Sequence, residues 1–173
     1  MLQQTQVARV EEYFRDWMRD FPSWRALANA SRKDVLSHWQ GLGYNRRALY
    51  LQRTAQIVTE QHKAKLPEDA KELEALPGIG PYTRGAIRAF AFNQLDAFLE
   101  TNIRTVLIHH LFPDKGSPTS RRSKAMEVGR TSSASISDKE LLQVLEEYLE
   151  HDTRAQDNPR EFYYAMMDYG AYL

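Results

Sequence analysis

Between Leu76 and Ala89 the chain reads LPGIGPYTRGAIRA, and no other segment constrains the fold as tightly. Gly78 and Gly80 lack a Cβ, so the backbone there can turn sharply and come close to a ligand. Pro81 suits the first turn of a helix, where its missing N–H costs nothing. Such a turn joins two helices, a short one over 68–75 and a second over 81–92. It also points several N–H groups outward, a natural cradle for a phosphate. A helical hairpin of this kind grips one DNA strand through its backbone without reading bases. The same residues also make an ordinary interhelical turn. Arg84 and Arg88, four apart on one face, suit a solvated surface as well as a phosphate.

The flanking sequence is helical in pattern. Val7, Val10, Tyr13, Phe14, Trp17 and Met18 form an apolar stripe over residues 3–19. Phe21-Pro22 stops that helix, Ser23 caps a short one with Trp24, Leu27 and Ala28, and Ser31 with Asp34 begins the next. GLGYNRR (41–47) is the break before a long helix over 46–62, with Leu49, Ala55, Ile57 and Val58 expected inward. Further helices are expected at 101–111, 121–130, 138–151 and 159–171, the last with Phe162, Ala165, Met166 and Tyr169 inward. Residues 113–122, rich in Pro, Gly and Ser, read as a loop, and GRTSSASIS (129–137) as a surface linker. No alternating segment is long enough for a strand, so an all-α fold of about ten helices is expected.

Composition narrows the chemistry. Lys plus Arg and Asp plus Glu both number 23, so any nucleic-acid affinity must come from local patches. With no cysteine, thiol nucleophiles, disulfides and thiolate metal sites are excluded within these residues. The five histidines are scattered apart from His109-His110, which gives little support to a histidine metal site, and no metal is expected. The chain has no apolar run of membrane-spanning length, and MLQQTQ is unlike a signal peptide. A cytoplasmic, monomeric protein without membrane contact is expected.

Four segments, MLQQTQV (1–7), GLGYNRRA (41–48), LPGIGPYTRGAI (76–87) and YYAMMDYGA (163–171), run along the chain in an order that resembles the helix-hairpin-helix (HhH-GPD) DNA glycosylases. Within them the chain is most similar to the A/G-specific adenine glycosylases. The resemblance implies two small helical lobes: a six-helix lobe over 1–104 carrying the hairpin, and a second helical lobe over 105–173, incomplete relative to the family. It implies excision of adenine opposite guanine or 8-oxoguanine in double-stranded DNA. Leu2, Gln4 and Thr5 match positions that fill the space left by an extruded nucleotide. Tyr44 and Arg47 match the loop bordering DNA. Gly78, Ile79, Gly80, Thr83 and Arg84 match the hairpin's DNA contacts. Tyr82 stands where relatives that also cut the backbone carry a Schiff-base lysine, which implies a monofunctional enzyme.

The match has departures. Adenine release needs an acid to protonate the purine and an anion to stabilise charge at the sugar. The family's acid is a glutamate at a position before Met1. Its anion is an aspartate, matched here by Glu100, with Asn102 matching the family asparagine and Thr101 replacing a glycine. Glu100 also suits a plain helix cap. The cysteine-ligated iron–sulfur cluster of the family has no ligands here, so no cofactor is expected in this chain. The family's C-terminal domain for 8-oxoguanine is also not represented. Two other functions suit the same residues: a non-catalytic DNA-binding hairpin module, and a mismatch thymine or uracil glycosylase of the same superfamily.

Overall fold

A computed structural model describes Met1 and residues 7–112 and 136–173. Leu2, Gln4 and Thr5, the 113–122 loop and the 121–130 helix lie outside the described residues, as does most of the 129–137 linker. Among the described residues the structure is all-α with no strand. The helices are α1 (Val7–Asp20), α2 (Trp24–Asn29), α3 (Arg32–Trp39), α4 (Arg46–Gln61), α5 (Ala70–Glu74), α6 (Pro81–Phe90), α7 (Thr101–Leu111), α8 (Asp138–His151), α9 (Thr153–Asp157) and α10 (Pro159–Tyr172). Contacts divide the chain into two compact units, Met1–Gly80 and Pro81–Leu173. That division falls earlier than the lobe boundary near residue 104 read from the sequence.

In the first unit, α4 packs against α2 and α3, and α1 against α3. Its core holds Trp17, Phe21, Leu27, Val35, Trp39, Leu42, Ala48 and Ala55. Trp17 meets Phe21 and Trp39 edge-on, with ring centroids 4.9 and 5.5 Å apart, a geometry favoured by the aromatic quadrupole. Ser23 and Ser31 act as the expected caps, accepting from the amides of Ala26 and Asp34. The buried side of α4 differs from expectation. Ala48, Gln52, Thr54, Ala55 and Val58 are buried, while Leu49 and Ile57 are only partly so. Gln52 turns inward because its amide donates to the Ala30 carbonyl at 2.7 Å. The α1 stripe is also only half used: Val10 and Trp17 are buried, but Val7, Phe14 and Met18 are exposed.

His38 of α3 is bracketed by two acceptors. Its Nδ1 lies 2.8 Å from the Asp34 carbonyl and its Nε2 2.6 Å from the Asp20 carboxylate. An imidazolium donates to both at once. The Asp34 carbonyl first, and then Asp20, raise the His38 pKa above its ordinary range. A raised folded pKa gives stability that is fully present below the unfolded value of about 6.5 and is lost as pH rises through the folded value. All three tryptophans, Trp17, Trp24 and Trp39, lie in this unit. The unfolding midpoint read by tryptophan fluorescence is therefore expected to fall as pH climbs above about 6.5. A His38→Asn variant should lose that slope; an unchanged slope would assign it to other groups.

In the second unit, α7 packs along α10, and α6 and α9 also meet α10. The core runs through Ala89, Phe98, Ile103, Leu107, Leu141, Leu145, Leu149 and Tyr163. Ser137 caps α8 in a reciprocal box with Glu140, and Ile136 is buried in the core. The last two residues of the expected 129–137 linker are thus structural. The expected inner face of α10 is corrected as well. Phe162 and Met166 pack on the core as expected, joined by Met167 and by the buried Tyr163 and Gly170, while Ala165 and Tyr169 are exposed.

Candidate functional site

The hairpin turn is built from the first unit's end. Asp69 caps α5 by accepting from the amides of Lys71 and Glu72 at 2.9 and 3.0 Å. Leu73 and Leu76 are buried, which anchors the entry to the turn. Thr54 of α4 donates its hydroxyl to the Pro77 carbonyl at 3.1 Å, and the Ile79 amide closes back on the Leu76 carbonyl at 3.1 Å. The turn leads directly into α6 at Pro81, the expected first residue.

The two glycines do different work. Gly78 has φ +79°, and a Cβ there would lie 2.9 Å from the Tyr50 ring of α4. It is required by backbone and neighbour alike. Gly80 has no such φ, and a Cβ there would meet nothing within 4 Å. A substitution at Gly80 therefore tests ligand approach with little folding cost. Gly80→Val is expected to keep its melting temperature while losing duplex affinity about tenfold or more, on the scale of one lost charge-assisted contact. Unchanged affinity in the folded variant would rule out backbone approach at this turn.

The GLGYN loop is held from inside. Gly41, Gly43 and Tyr44 all have positive φ, at 96°, 71° and 49°. Arg47 donates to the Leu42 carbonyl at 3.1 Å, and Trp39 Nε1 to the Gly43 carbonyl at 2.9 Å. The Arg47 guanidinium also lies 5.3 Å from the Trp39 ring centroid and 5.7 Å from that of Tyr44. Tyr44 itself is 70% exposed. Arg47 clamps the loop that presents Tyr44.

In the second unit, Glu100 is the N-cap of α7, and its Oε2 accepts from the Asn102 amide at 2.7 Å. The cap occupies one carboxylate oxygen, and the helix N-terminus favours the charge. Tyr82, in the first turn of α6, is 43% exposed, and its ring meets Phe98 edge-on at 5.8 Å. Burial first, and then the charge of Glu100, raise the Tyr82 pKa, so the phenol stays protonated at neutral pH. Thr83 is partly buried beside Tyr82 in the chain.

Arg84 is engaged inside the unit. It forms a bidentate pair with Asp96, at 2.9 and 3.0 Å, and Arg88 reaches the same carboxylate at 3.1 Å. All three side chains are largely shielded from solvent. The Asp96 carbonyl in turn accepts the buried Tyr163 hydroxyl at 2.7 Å. Sequence reading had no signal for Asp96, because its partners on α6 and α10 are remote in the chain. No group of acidic or histidine residues able to hold a metal occurs among the described residues. No described helix is long and apolar enough to cross a membrane.

Residues 1–165 match the HhH-GPD superfamily of base excision DNA repair proteins. The chain belongs to that family. Adenine DNA glycosylases are among its relatives. That of Mycobacterium tuberculosis (strain CDC 1551 / Oshkosh) is 41% identical over 127 residues, covering 72% of this chain and 42% of the relative. The mouse protein is 37% identical over 153 residues, covering 76% and 30%, and the human one 44% over 108 residues, covering 62% and 20%. The chain thus spans less than half the length of these relatives. Among solved structures, a thermostable thymine-DNA glycosylase superposes with TM-score 0.56 at 22% identity, covering 61% of this chain and 49% of that one. A trapped endonuclease III–DNA covalent intermediate gives 0.56 at 19%, covering 61% and 50%. At that identity they establish the HhH-GPD fold, in agreement with the all-α expectation.

Within this HhH-GPD chain the charge is locally segregated. No Asp or Glu occurs between Asp34 and Glu60, or between Glu74 and Asp96, while Arg46, Arg47, Arg53, Arg84 and Arg88 do. The two acid-free stretches are those that hold the loop and hairpin motifs. A net charge of zero conceals this pattern.

Proposed function

We propose that the chain is the helical part of a monofunctional adenine DNA glycosylase that hydrolyses the N-glycosidic bond of adenine opposite guanine or 8-oxoguanine. The observation that carries this reading is the Glu100 carboxylate, held at the N-terminus of α7 by its hydrogen bond from the Asn102 amide at 2.7 Å. As the C1′–N9 bond lengthens, positive charge develops at the sugar, and a fixed carboxylate stabilises it there. Water then supplies the oxygen to C1′, and the protonated adenine departs. Tyr82 offers no amine to trap the sugar, so the product is an intact strand with an abasic site. Asn102 belongs to the same first turn of α7.

Duplex DNA is the partner in this reading, held by the 76–80 turn and the Tyr44 loop, with Leu2, Gln4 and Thr5 entering the duplex. The chain acts as a cytoplasmic monomer. The acid that protonates adenine is assigned to a position before Met1. An iron–sulfur cluster finds no thiolate ligand among these 173 residues. The lobe division at 104 belongs to the same reading.

The test is single-turnover base release, by the chain joined to the upstream segment that carries this acid, from a duplex with adenine opposite 8-oxoguanine, read as alkali-labile sites. Release from that substrate, and not from matched adenine, mismatched thymine or uracil, is the expected result. Tight duplex binding with no release from any of them would favour the non-catalytic module.

A further inference from the structure

The family reading assigns DNA contact to the turn and the loop, but the outer face of α4 between them has its own chemistry. Arg46, Tyr50 and Arg53 are spaced i, i+4, i+7, which puts them on one face of the helix. All three are exposed, Tyr50 by 40%. The Tyr50 ring packs against Gly78, so this face adjoins the hairpin turn directly. Arg53 donates to a neutral amide, Gln56 Oε1, at 3.1 Å, and no ion pair to its guanidinium occurs among the described residues. The surrounding sequence from 35 to 59 contains no acidic residue. Arg47 and Arg84, by contrast, are engaged with the loop carbonyls and Asp96.

The geometry points to a second phosphate-binding strip on α4, formed by Arg46, Tyr50 and Arg53, which follows one DNA strand away from the hairpin turn. Seven residues of helix rise about 10 Å. Successive phosphates along one strand lie about 7 Å apart, twice the 3.4 Å axial rise, so the strip with its long side chains reaches roughly three phosphates. The two guanidiniums meet the outer phosphates and the Tyr50 hydroxyl donates to the one between, while its ring walls the glycine turn. Such contacts position the protein and carry no sequence information.

The strip extends the DNA-repair reading, and its test separates the two. Duplex affinity of the full chain for an undamaged duplex is measured by fluorescence anisotropy from about 50 to 200 mM salt. Arg46→Gln and Arg53→Gln are each expected to weaken binding about fivefold and to make the salt slope shallower by about one. Tyr50→Phe should weaken binding about threefold with the slope kept, as for one neutral hydrogen bond. Lys63→Gln, in the turn just past the C-terminus of α4, is the control and should change nothing. These exposed changes leave the fold intact, which a thermal melt verifies. Wild-type slopes and affinities in both arginine variants would overturn the strip alone. Absence of any duplex binding by the parent chain would overturn the strip and the glycosylase reading together. The expected slopes, with no base release even when the upstream segment carrying the acid is joined to the chain, would uphold the strip and remove only the enzyme reading.

Discussion

Replacing Gly170 by alanine is expected to destabilise the second unit by about 3 kcal/mol, the upper part of the range for overpacking. A Cβ at this position would fall onto the carbonyl oxygen of Asn102 and lie 2.6 Å from its carbonyl carbon. Those are backbone atoms of α7, which cannot rotate away as a side chain would. Either α10 moves off α7 or the first turn of α7 distorts, and that turn carries the Glu100 cap. A unit of this size loses several degrees of melting temperature per kcal/mol, so far-UV circular dichroism should show a drop of about 10 °C or more. Gly80→Ala is the matched control: its Cβ enters open space, and its melt should stay at the parent value. Equal melts for the two variants would mean that α7 and α10 are not in this close register.

Glu100→Gln is expected to cut single-turnover base release about 100- to 1000-fold, the usual cost of losing one preorganised electrostatic group. The change is chosen because the amide oxygen can still accept from the Asn102 N–H. The cap survives, the melting temperature stays near the parent value, and only the charge is lost. Glu100→Ala removes both and should add about 1 kcal/mol of destabilisation, the typical worth of an N-cap. Comparing the two separates the residue's structural role from its chemical one. Full base release by a folded Glu100→Gln protein would reduce Glu100 to a cap and require another carboxylate for the sugar cation.

Much of the architecture was legible because its determinants are local. Ser23, Ser31, Pro81 and the helix limits at 101–111 and 138–151 follow from residues within one turn of where they act. The short α9 was not foreseen. It is only five residues long and is started by Asp152, whose carboxylate also accepts the Tyr148 hydroxyl at 2.5 Å. The candidate site was legible in a different sense. The motifs named Tyr82, Glu100 and the hairpin glycines, but not what each does. Gly78 and Gly80 look equivalent in the sequence. They separate only once Tyr50 is seen beside one and open space beside the other.

Sequence alone determined the all-helical class, the hairpin and the caps, since periodicity, glycine freedom and capping act over a few residues, and its four ordered motifs carried the family resemblance. The tertiary structure decided which helix faces are buried and which charges are available. Periodicity placed Phe162 and Met166 on the core correctly but also Ala165 and Tyr169, which face out. It missed the close contact made by Gly170, which has no hydrophobic side chain to register in such a pattern. The motifs single out Arg47 and Arg84, not Arg46 and Arg53, as DNA contacts, yet the structure engages the first pair internally. The two pairs differ because the GLGYN carbonyls and Asp96 meet the first pair, while the second pair faces outward. A pattern along a chain reports what a residue prefers. The partner that satisfies it comes from another part of the chain, and only folding brings the two together.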